Sequence, residues 1–374
     1  MKERIYICHT YYHAYIAFLK ELALPREKRG QASLMLSSMS NHFEEFGERA
    51  GKTDLFREII NFDEKREDFF PELAAYRKDQ GSILKNMLQR IRFTRKYARL
   101  EEPYIPIDLR TYRDIYVFCD SDPIGYYLNQ YRIRYHALED GLNCLVHFDA
   151  AHYDNRGHFR LKAFLSEKCN LIFVQNGYGK YCMDMEVNDI SAIRMPCRKY
   201  REVPRKELTE RLTEKDKELL LQAFVRDREQ LGQKLSDCRT GQKNILILTD
   251  PLCTLEVREK IFRDIITEYE QAGQIFIKPH PRDELDYRKL FPEYSIFDAT
   301  VPMEMLNFFP DIYFDKVVTV FTDLKGIQFA REKIRLGDTF MDRYEDPDVH
   351  NQNRQIGISP AEKDNLMKQE NTEE

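Results

Sequence analysis

Three basic side chains surround a proline-rich turn in the last third of the chain: Lys278, His280 and Arg282. They directly follow an apolar, β-branched run, which predicts a short strand. Pro279 and Pro281 restrict the backbone on both sides of the histidine, so its side chain is held in place. A histidine between two cations can donate to a phosphate oxygen or protonate a phosphate leaving group. The alternative is a proline-bounded turn in which the histidine is structural.

Two adjacent carboxylates follow a strand-like run in the first half of the chain. Glu139 and Asp140 come directly after this run, and Gly141 permits a tight turn or a close ligand approach. Neighbouring carboxylates can raise each other's pKa, as a base that works near neutral pH requires. The same residues are also common turn chemistry, so this pattern indicates a base only together with the histidine motif.

Further carboxylates stand at predicted strand ends. Asp250 follows a strand in the second half and is a second candidate for the base. Asp120 and Asp122 have the spacing of a DxD motif, in which carboxylates hold a divalent cation and a diphosphate. We favour an acceptor-side position for both aspartates over metal binding, because the phosphate-binding features lie in the other half of the chain. A simple helix cap at Asp122 is the remaining alternative.

Short β-rich runs alternate with longer amphipathic stretches, which is typical of α/β proteins whose parallel sheets are covered on both faces. The predicted strands are Ile5–Cys8, Ser33–Ser37, Ile59–Phe62, Ile115–Cys119, Ile133–Ala137, Leu171–Val174, Asn244–Leu248, Gln274–Ile277, Tyr294–Phe297, Lys316–Phe321 and Ile334–Leu336. Because they fall into two sets, we predict two Rossmann-type domains that face a central cleft at the carboxyl ends of their strands.

The predicted boundaries follow the gap between the two sets of strands. Residues 1–193 are predicted to form an N-terminal domain and residues 243–342 a C-terminal domain. The polar segment 194–242 shows no strand pattern and has apolar residues at helical spacing, so it is predicted to be a helical connection. Residues 343–374 are predicted to be a loosely held polar tail.

Composition excludes several classes of protein. The 374 residues carry 58 Lys and Arg against 63 Asp and Glu, and this net charge of −5 argues against general nucleic-acid binding. No apolar run approaches the roughly 20 residues of a membrane span, and the apolar run at the N-terminus is too short for a signal peptide. The 8 cysteines lack CxxC spacing, which indicates reduced thiols. We therefore expect a cytoplasmic protein without a structural metal.

Residues 85–99 carry many positive charges and no acid, interleaved with apolar residues. This pattern predicts an amphipathic helix with a basic face. Such a face is a candidate for peripheral contact with anionic lipid at the inner membrane face, or for binding an acidic glycan. The alternative is an ordinary solvated helix face.

The two motifs together resemble those of the bacterial sialyltransferases, specifically glycosyltransferase family 52, the lipooligosaccharide sialyltransferase group. The family's acid-acid-Gly motif is similar to Glu139-Asp140-Gly141, and its Lys-Pro-His-Pro motif is similar to Lys278-Pro279-His280-Pro281. The resemblance implies a GT-B-like fold of two Rossmann-type domains. It also implies an inverting, metal-independent transfer of sialic acid from CMP-sialic acid to a glycan or glycolipid hydroxyl, with no cofactor.

The resemblance implies roles for individual residues. Asp140 would be the base for the acceptor hydroxyl and His280 would assist departure of CMP, with Asp250 as the alternative base. The donor would contact Lys278, Pro281, Arg282, Pro302, Met303, Glu304, Thr322 and Asp323. The acceptor side would include Thr10, His13, Asp120, Asp122, Glu139 and Gly141. Asp323 departs from the family pattern, because a small hydroxyl residue is expected there and a carboxylate repels phosphate.

Two other functions stay open at this point. A CDP-glycerol-type glycerophosphotransferase of teichoic acid assembly also uses histidines near prolines in a GT-B-like fold, and His136 could serve as its second histidine. A catalytically inactive glycan-binding relative would bind CMP without turnover. A homodimer is compatible with each of these functions.

Overall fold

The computed structural model describes residues 1–43, 45–118, 120–236, 243–309 and 313–346. The chain divides into two compact units, Met1–Arg226 and Asp227–Glu374, each built around a parallel β-sheet. The prediction of two parallel-sheet α/β domains is therefore confirmed. The division falls within the predicted connection 194–242, of which 237–242 lie outside the described residues, as does most of the predicted tail.

The first unit contains, in its described part, a seven-stranded sheet in the order β3-β2-β1-β4-β5-β6-β7. Its strands are β1 (Lys2–Cys8), β2 (Ala32–Ser37), β3 (Phe56–Phe62), β4 (Tyr112–Phe118), β5 (Tyr135–Leu138), β6 (Cys182–Val187) and β7 (Tyr200–Glu202). All neighbouring strands are parallel. The strand order reverses between β1 and β4, and ligands of such sheets bind at the carboxyl ends of the strands beside this reversal.

Helices cover both faces of this sheet, which explains why β2 is buried along its whole length. They are α1 (Tyr11–Leu22), α2 (Phe46–Gly51), α3 (Ala74–Arg77), α4 (Ile83–Glu101), α5 (Pro123–Gln130), α6 (Cys144–His147), α7 (Ala150–Asp154), α8 (Phe159–Glu167), α9 (Arg205–Glu210) and α10 (Glu214–Phe224). Two residues separate β1 from helix α1, and the second of them, Thr10, caps the helix with a side chain that accepts from the His13 N–H.

The second unit contains, as far as it is described, a five-stranded parallel sheet in the order β10-β9-β8-β11-β12. The strands are β8 (Asn244–Leu248), β9 (Gln274–Lys278), β10 (Ser295–Ile296), β11 (Phe314–Thr319) and β12 (Ala330–Arg335). The helices are α11 (Arg228–Ser236), α12 (Leu255–Tyr269), α13 (Tyr287–Leu290) and α14 (Gly337–Met341), with a 3-10 helix at Met303–Phe308. Here the strand order reverses between β8 and β11, which marks the ligand edge of this sheet.

One predicted strand is wrong and two observed strands were not predicted. Residues 171–174 contain the buried side chains of Ile172, Phe173 and Val174 but join no sheet, because burial alone produces an apolar run without strand pairing. Strand β6 takes the place beside β5, although it carries acids that interrupt its apolar pattern. Strand β7 is a short, polar edge strand inside the segment predicted to be free of strands, so that prediction is also wrong.

The described helices include none that combines the length and hydrophobicity needed to cross a bilayer. The cysteines that the structure describes as free thiols are Cys8, Cys144, Cys169, Cys182, Cys197 and Cys253. Cys119 and Cys238 lie outside the described residues.

Candidate active site

The adjacent carboxylates after β5 differ sharply in their surroundings. Glu139 is 1% exposed and accepts hydrogen bonds from the backbone N–H groups of Leu145 and Asn188, at 3.2 and 2.8 Å. Burial raises the pKa of Glu139. The Asp140 side chain is 41% exposed and can be reached from solvent. Glu139 therefore holds the loop, and Asp140 is the carboxylate that a substrate could contact.

His13 connects helix α1 to Asp140. Its Nε2 lies 2.6 Å from Asp140 Oδ1 and 2.9 Å from the Asp140 carbonyl oxygen. Its ring is fully buried and stacks on Phe118, with ring centroids 4.5 Å apart. The prediction that His13 lies on the Asp140 side is consistent with this contact, which joins the ends of β1, β4 and β5.

A second histidine lies among carboxylates next to this pair. His9 Nε2 is 2.7 Å from Glu64 Oε2 and 3.5 Å from Asp122 Oδ2. Burial disfavours the charged ring, but the nearby carboxylates outweigh burial and raise the pKa of His9 to about 9. Burial also raises the pKa of Asp122 to about 7, and the Glu64 and Asp140 charges add to that rise against the opposing effect of His9. His9 and Asp122 thus form a buried pair whose pKa values are both raised, which is typical of functional sites.

Two predicted acceptor-side residues have structural hydrogen bonds instead. Asp120 is 1% exposed and accepts from the Tyr135 hydroxyl at 2.9 Å and from the Asn176 backbone at 2.8 Å. Thr10 caps helix α1. The DxD spacing therefore does not present two free carboxylates. Across the described residues, no group of three or more His, Cys, Asp or Glu side chains has the arrangement of a metal site.

Gly141 has no conformational need for glycine, whereas Gly125 does need the absence of a side chain. A Cβ at Gly141 would meet only Cys144 Cβ, at 3.9 Å, and the backbone there is not left-handed. A Cβ at Gly125 would overlap the Asp120 carbonyl oxygen and come within 2.9 Å of Phe173. A turn does begin at Gly141, whose carbonyl oxygen accepts from the Cys144 N–H at 3.3 Å, but this turn does not require glycine.

We expect Gly125→Ala to lower the free energy of unfolding by about 3 kcal/mol, because the new methyl group forces backbone to move. Gly141→Ala is the matched control and should change the free energy of unfolding by less than about 0.5 kcal/mol. Urea unfolding followed by circular dichroism measures both values. Equal losses in the two variants would contradict the described packing around helix α5.

The second unit places His280 directly after β9 in a rigid turn. The His280 N–H donates to Thr249 Oγ1 at 3.0 Å, and the Arg282 N–H donates to His280 Nδ1 at 3.1 Å. The neutral ring therefore carries its proton on Nε2. Burial, together with the charges of Arg282 and Lys278, lowers the pKa of His280 to about 4. His280 is thus a neutral hydrogen-bond donor at neutral pH rather than a standing acid.

Asp283 stabilises the turn that carries His280. It accepts from Arg258 at 2.6 Å, from the Thr249 hydroxyl at 2.9 Å and from the Tyr287 hydroxyl at 2.7 Å. Thr249 in turn accepts from His280, so the buried Arg258–Asp283 ion pair supports the histidine through one hydroxyl. This support argues against a loosely held turn, and it was not predicted from sequence.

The lysine of the histidine motif points into the protein. Lys278 is 5% exposed, and its ammonium donates to the carbonyl oxygens of Pro279 and Ala299, at 2.9 and 3.0 Å. Burial lowers the pKa of Lys278 to about 8, although Asp298 and Glu304 favour its charge. Burial raises the pKa of Glu304. Lys278 thus connects two loops through hydrogen bonds to their carbonyl oxygens. The prediction that its ammonium contacts the phosphate directly is corrected, and its charge can act on a phosphate only through longer-range electrostatic attraction.

Asp250 accepts several hydrogen bonds at the end of β11, and these occupy both carboxylate oxygens. Its Oδ2 accepts from the Thr319 hydroxyl at 2.8 Å and from two backbone N–H groups, and its Oδ1 accepts from the Thr322 hydroxyl at 2.7 Å. The Thr322 proton is therefore used within the protein, which disagrees with donation to phosphate. Asp250 is 6% exposed and serves as a loop anchor in this structure.

The remaining predicted donor residues surround the same strand ends. Asp323 accepts from the Lys325 N–H at 2.8 Å, which engages its carboxylate in a local turn. Arg282 is exposed beside His280. Pro302 begins the 3-10 helix that carries Met303 and Glu304. Pro281 follows the histidine within the turn.

Sequence reasoning missed Glu64 and Asp283, which organise the two histidine sites. Glu64 binds His9 and accepts from the Ser37 hydroxyl and the Ile124 N–H, at 2.7 and 2.9 Å. It lies two residues after β3, so the rule that polar residues at strand ends form sites could have found it. Asp283 lies too far beyond β9 for that rule, and its partner Arg258 lies on helix α12.

Comparison with known proteins gives matches in both sequence and fold. A model of glycosyltransferase family 52 matches residues 65–324. An uncharacterized protein of Haemophilus influenzae is 35% identical over 94 residues, which span 24% of this chain and only 30% of that relative.

Among solved structures, the α/β-galactoside α-2,3-sialyltransferase of Photobacterium phosphoreum matches with a TM-score of 0.51 and 11% identity, over 89% of this chain and 90% of that one. A 2,6-sialyltransferase of a Photobacterium species, in complex with CMP and lactose, matches with a TM-score of 0.54 and 10% identity, over 88% and 70%. At such identities the likeness is one of fold, and it is consistent with the GT-B-like prediction.

Proposed function

The chain belongs to glycosyltransferase family 52, and from this premise we propose that it transfers sialic acid from CMP-sialic acid to a hydroxyl of a glycan or glycolipid. The transfer is proposed to invert the anomeric centre and to need no metal or other cofactor. Asp140 on the first unit is the proposed base, and the turn around His280 on the second unit is the proposed phosphate site.

The exposed carboxylate of Asp140 carries this proposal. Glu139, Asp120 and Asp250 are each nearly buried and already accept hydrogen bonds from the protein. Asp140 is held by a buried imidazole and is still open to solvent. Only a carboxylate that a substrate can reach is able to take the proton of an acceptor hydroxyl.

The proposed reaction is a direct displacement at the anomeric carbon of sialic acid. The acceptor O–H bond breaks and its proton passes to the Asp140 carboxylate, while the oxygen bonds to the anomeric carbon of sialic acid. The bond from that carbon to the phosphate oxygen breaks, and its electron pair leaves on CMP. A hydrogen bond from His280 Nε2 to the phosphate, with the positive charge of Arg282, would stabilise the departing anion.

Release of nucleotide from separate donors tests this proposal. We would incubate the protein with lactose and either CMP-sialic acid or CDP-glycerol, and follow CMP by chromatography. Transfer from CMP-sialic acid alone supports the proposal. Transfer from CDP-glycerol alone replaces it with the glycerophosphotransferase, and tight CMP binding without turnover from either donor, on lactose or on a lipooligosaccharide extract, replaces it with an inactive glycan-binding protein.

The structure gives little support to the glycerophosphotransferase alternative. His136, its candidate second histidine, lies within β5 rather than after it. Its Nδ1 is 2.7 Å from Asp184, and its ring stacks on Tyr116 with centroids 4.9 Å apart. A ring held in this way by a neighbouring strand has a structural role.

We also propose that the first turns of helix α4 contact an anionic membrane that carries the acceptor glycolipid. Ile83, Leu84 and Leu88 are 64%, 78% and 55% exposed, next to the exposed cations Lys85 and Arg92. Apolar side chains flanked by cations are typical of helices that bind anionic lipid at the interface. The apolar side chains, rather than the charges alone, favour lipid over a solvated helix face.

We expect Leu84→Glu combined with Leu88→Glu to abolish sedimentation with vesicles that contain phosphatidylglycerol. Turnover of soluble lactose should be unchanged, because these side chains are exposed and lactose needs no membrane contact. Leu255→Glu on helix α12 is the matched control, since Leu255 is 45% exposed, and it should sediment like the wild type. Equal sedimentation of the double variant and the wild type would exclude this surface as the lipid contact.

A further inference from the structure

A contact from His9 determines which ring nitrogen of His13 carries the proton that faces Asp140. The inference from this contact rests on the proposed role of Asp140 as the base. The His9 backbone N–H donates to His13 Nδ1 at 3.1 Å. A nitrogen that accepts a hydrogen bond carries no proton, so the proton of the neutral His13 ring is on Nε2. That nitrogen is the one facing Asp140.

Three contacts leave the His13 ring a single orientation. The ring is stacked on Phe118, both ring nitrogens have partners, and the His13 backbone N–H donates to the Thr10 hydroxyl oxygen. Nε2 lies within hydrogen-bond distance of both the carboxylate and the carbonyl oxygen of Asp140. The ring therefore orients the side chain and the backbone of one residue at the same time.

Burial and the charge of His9 favour this neutral state of the His13 ring. Burial lowers the pKa of His13, the Asp140 carboxylate opposes that change, and the His9 charge adds to it. His9 itself faces Glu64, Asp122 and Asp140, which keep it protonated. An imidazolium next to a neutral imidazole makes a second proton on His13 unfavourable, so His13 faces Asp140 as a neutral Nε2–H donor.

We propose that His13 is a positioning residue that holds Asp140 in the orientation and ionisation state of a general base, with its tautomer fixed by the His9 backbone. When Asp140 accepts the proton of the acceptor hydroxyl, the Nε2–H of His13 stays in place and does not transfer. His13 thus differs from a proton relay, in which the ring would gain or lose a proton at each turnover.

Two amide substitutions separate this role from simple packing. The amide nitrogen of a glutamine can occupy the position of Nε2, whereas that of an asparagine reaches only the position of Nδ1. We expect His13→Asn to lower kcat roughly 10- to 100-fold, the loss of one charge-assisted hydrogen bond, with the KM for CMP-sialic acid unchanged. His13→Gln should recover kcat to within about threefold of the wild type.

The pH profile gives a readout that packing would not change. A carboxylate that loses a hydrogen-bond donor is harder to ionise, so the acidic limb of kcat/KM should move up by about one pH unit in His13→Asn. Thr213→Ala, which removes the cap of helix α10, is the control for lost stability and should leave the profile unchanged. No rescue by glutamine, or an unmoved acidic limb in His13→Asn, would overturn the proposal.

Nuclear magnetic resonance of the wild-type chain decides the question without turnover. Long-range ¹⁵N spectra should show His13 as a neutral ring protonated on Nε2 between pH 6 and 8, and His9 as an imidazolium. A charged His13, or one protonated on Nδ1, would contradict the inference even in an active enzyme. If the chain transfers no sugar from any donor, the proposed function fails, while these spectra and a carboxyl ¹³C titration of Asp140 still test the positioning by His13.

Discussion

In the Asp140→Asn variant we expect kcat to fall by about 10³-fold, within the range that a general base contributes. The amide cannot accept the proton of the acceptor hydroxyl, but its oxygen can still accept from His13 Nε2, so the fold should be retained. Because the donor phosphate is assigned to the second unit, the dissociation constant of CMP should be unchanged. Initial rates with CMP-sialic acid and lactose, with isothermal titration of CMP, measure the two quantities.

Asp250→Asn is the informative companion variant, because it replaces the other candidate base. One oxygen of Asp250 accepts three hydrogen bonds and the other accepts from the Thr322 hydroxyl, so an asparagine can keep the three with its amide oxygen and donate to Thr322 with its N–H₂. We expect the free energy of unfolding to fall by about 2 kcal/mol, because hydrogen bonds to a charged carboxylate are stronger than those to a neutral amide. A stable Asp250→Asn enzyme without turnover, beside an active Asp140→Asn enzyme, would move the base to Asp250.

The fold was predictable wherever burial on both sheet faces produced an apolar strand. Strands β1, β2, β8 and β9 are such strands, and each overlaps its prediction closely. Strand β6 carries Asp184 and Glu186, whose partners His136 and Lys20 come from distant parts of the sequence. The local hydrophobic pattern does not reveal partners that are distant in sequence. A strand whose acids pair with such partners therefore cannot be predicted from that pattern.

The candidate site was predictable as a set of strand ends but not as a set of roles. The positions of Asp140 and His280 follow from where their strands end. Whether a carboxylate is exposed or buried as an anchor depends on backbone N–H groups that approach from other segments, as they do at Glu139 and Asp250. Only the three-dimensional structure therefore distinguishes the exposed carboxylate of Asp140 from the buried carboxylates of Glu139 and Asp250.

The His280 variants should show the second large effect. We expect His280→Ala to lower kcat by about 10²-fold or more, because the departing phosphate loses a preorganised donor. His280→Gln should recover part of this loss, since its amide nitrogen can reach the position of Nε2. The affinity for CMP should fall only modestly in both variants, because Arg282 stays in place. Wild-type kcat in His280→Ala would remove the histidine from the mechanism.

Proton uptake on CMP binding tests the same histidine through its pKa. In the protein without CMP, burial and the nearby cations lower the pKa of His280 to about 4, so its ring is neutral at pH 5.5. A bound phosphate favours the imidazolium and moves that pKa upward, toward the ordinary value of about 6.5. CMP binding at pH 5.5 should therefore take up a proton at His280, and affinity should rise as the pH falls from 7 toward 5.

Isothermal titration in two buffers of different ionisation enthalpy measures this uptake. The His280→Gln variant is the control, because it keeps a donor but cannot titrate, and it also subtracts the protonation of CMP itself. An equal number of protons in both proteins would mean that the phosphate does not approach His280. In that case the turn after β9 would be the structural, proline-bounded turn that the sequence also allows.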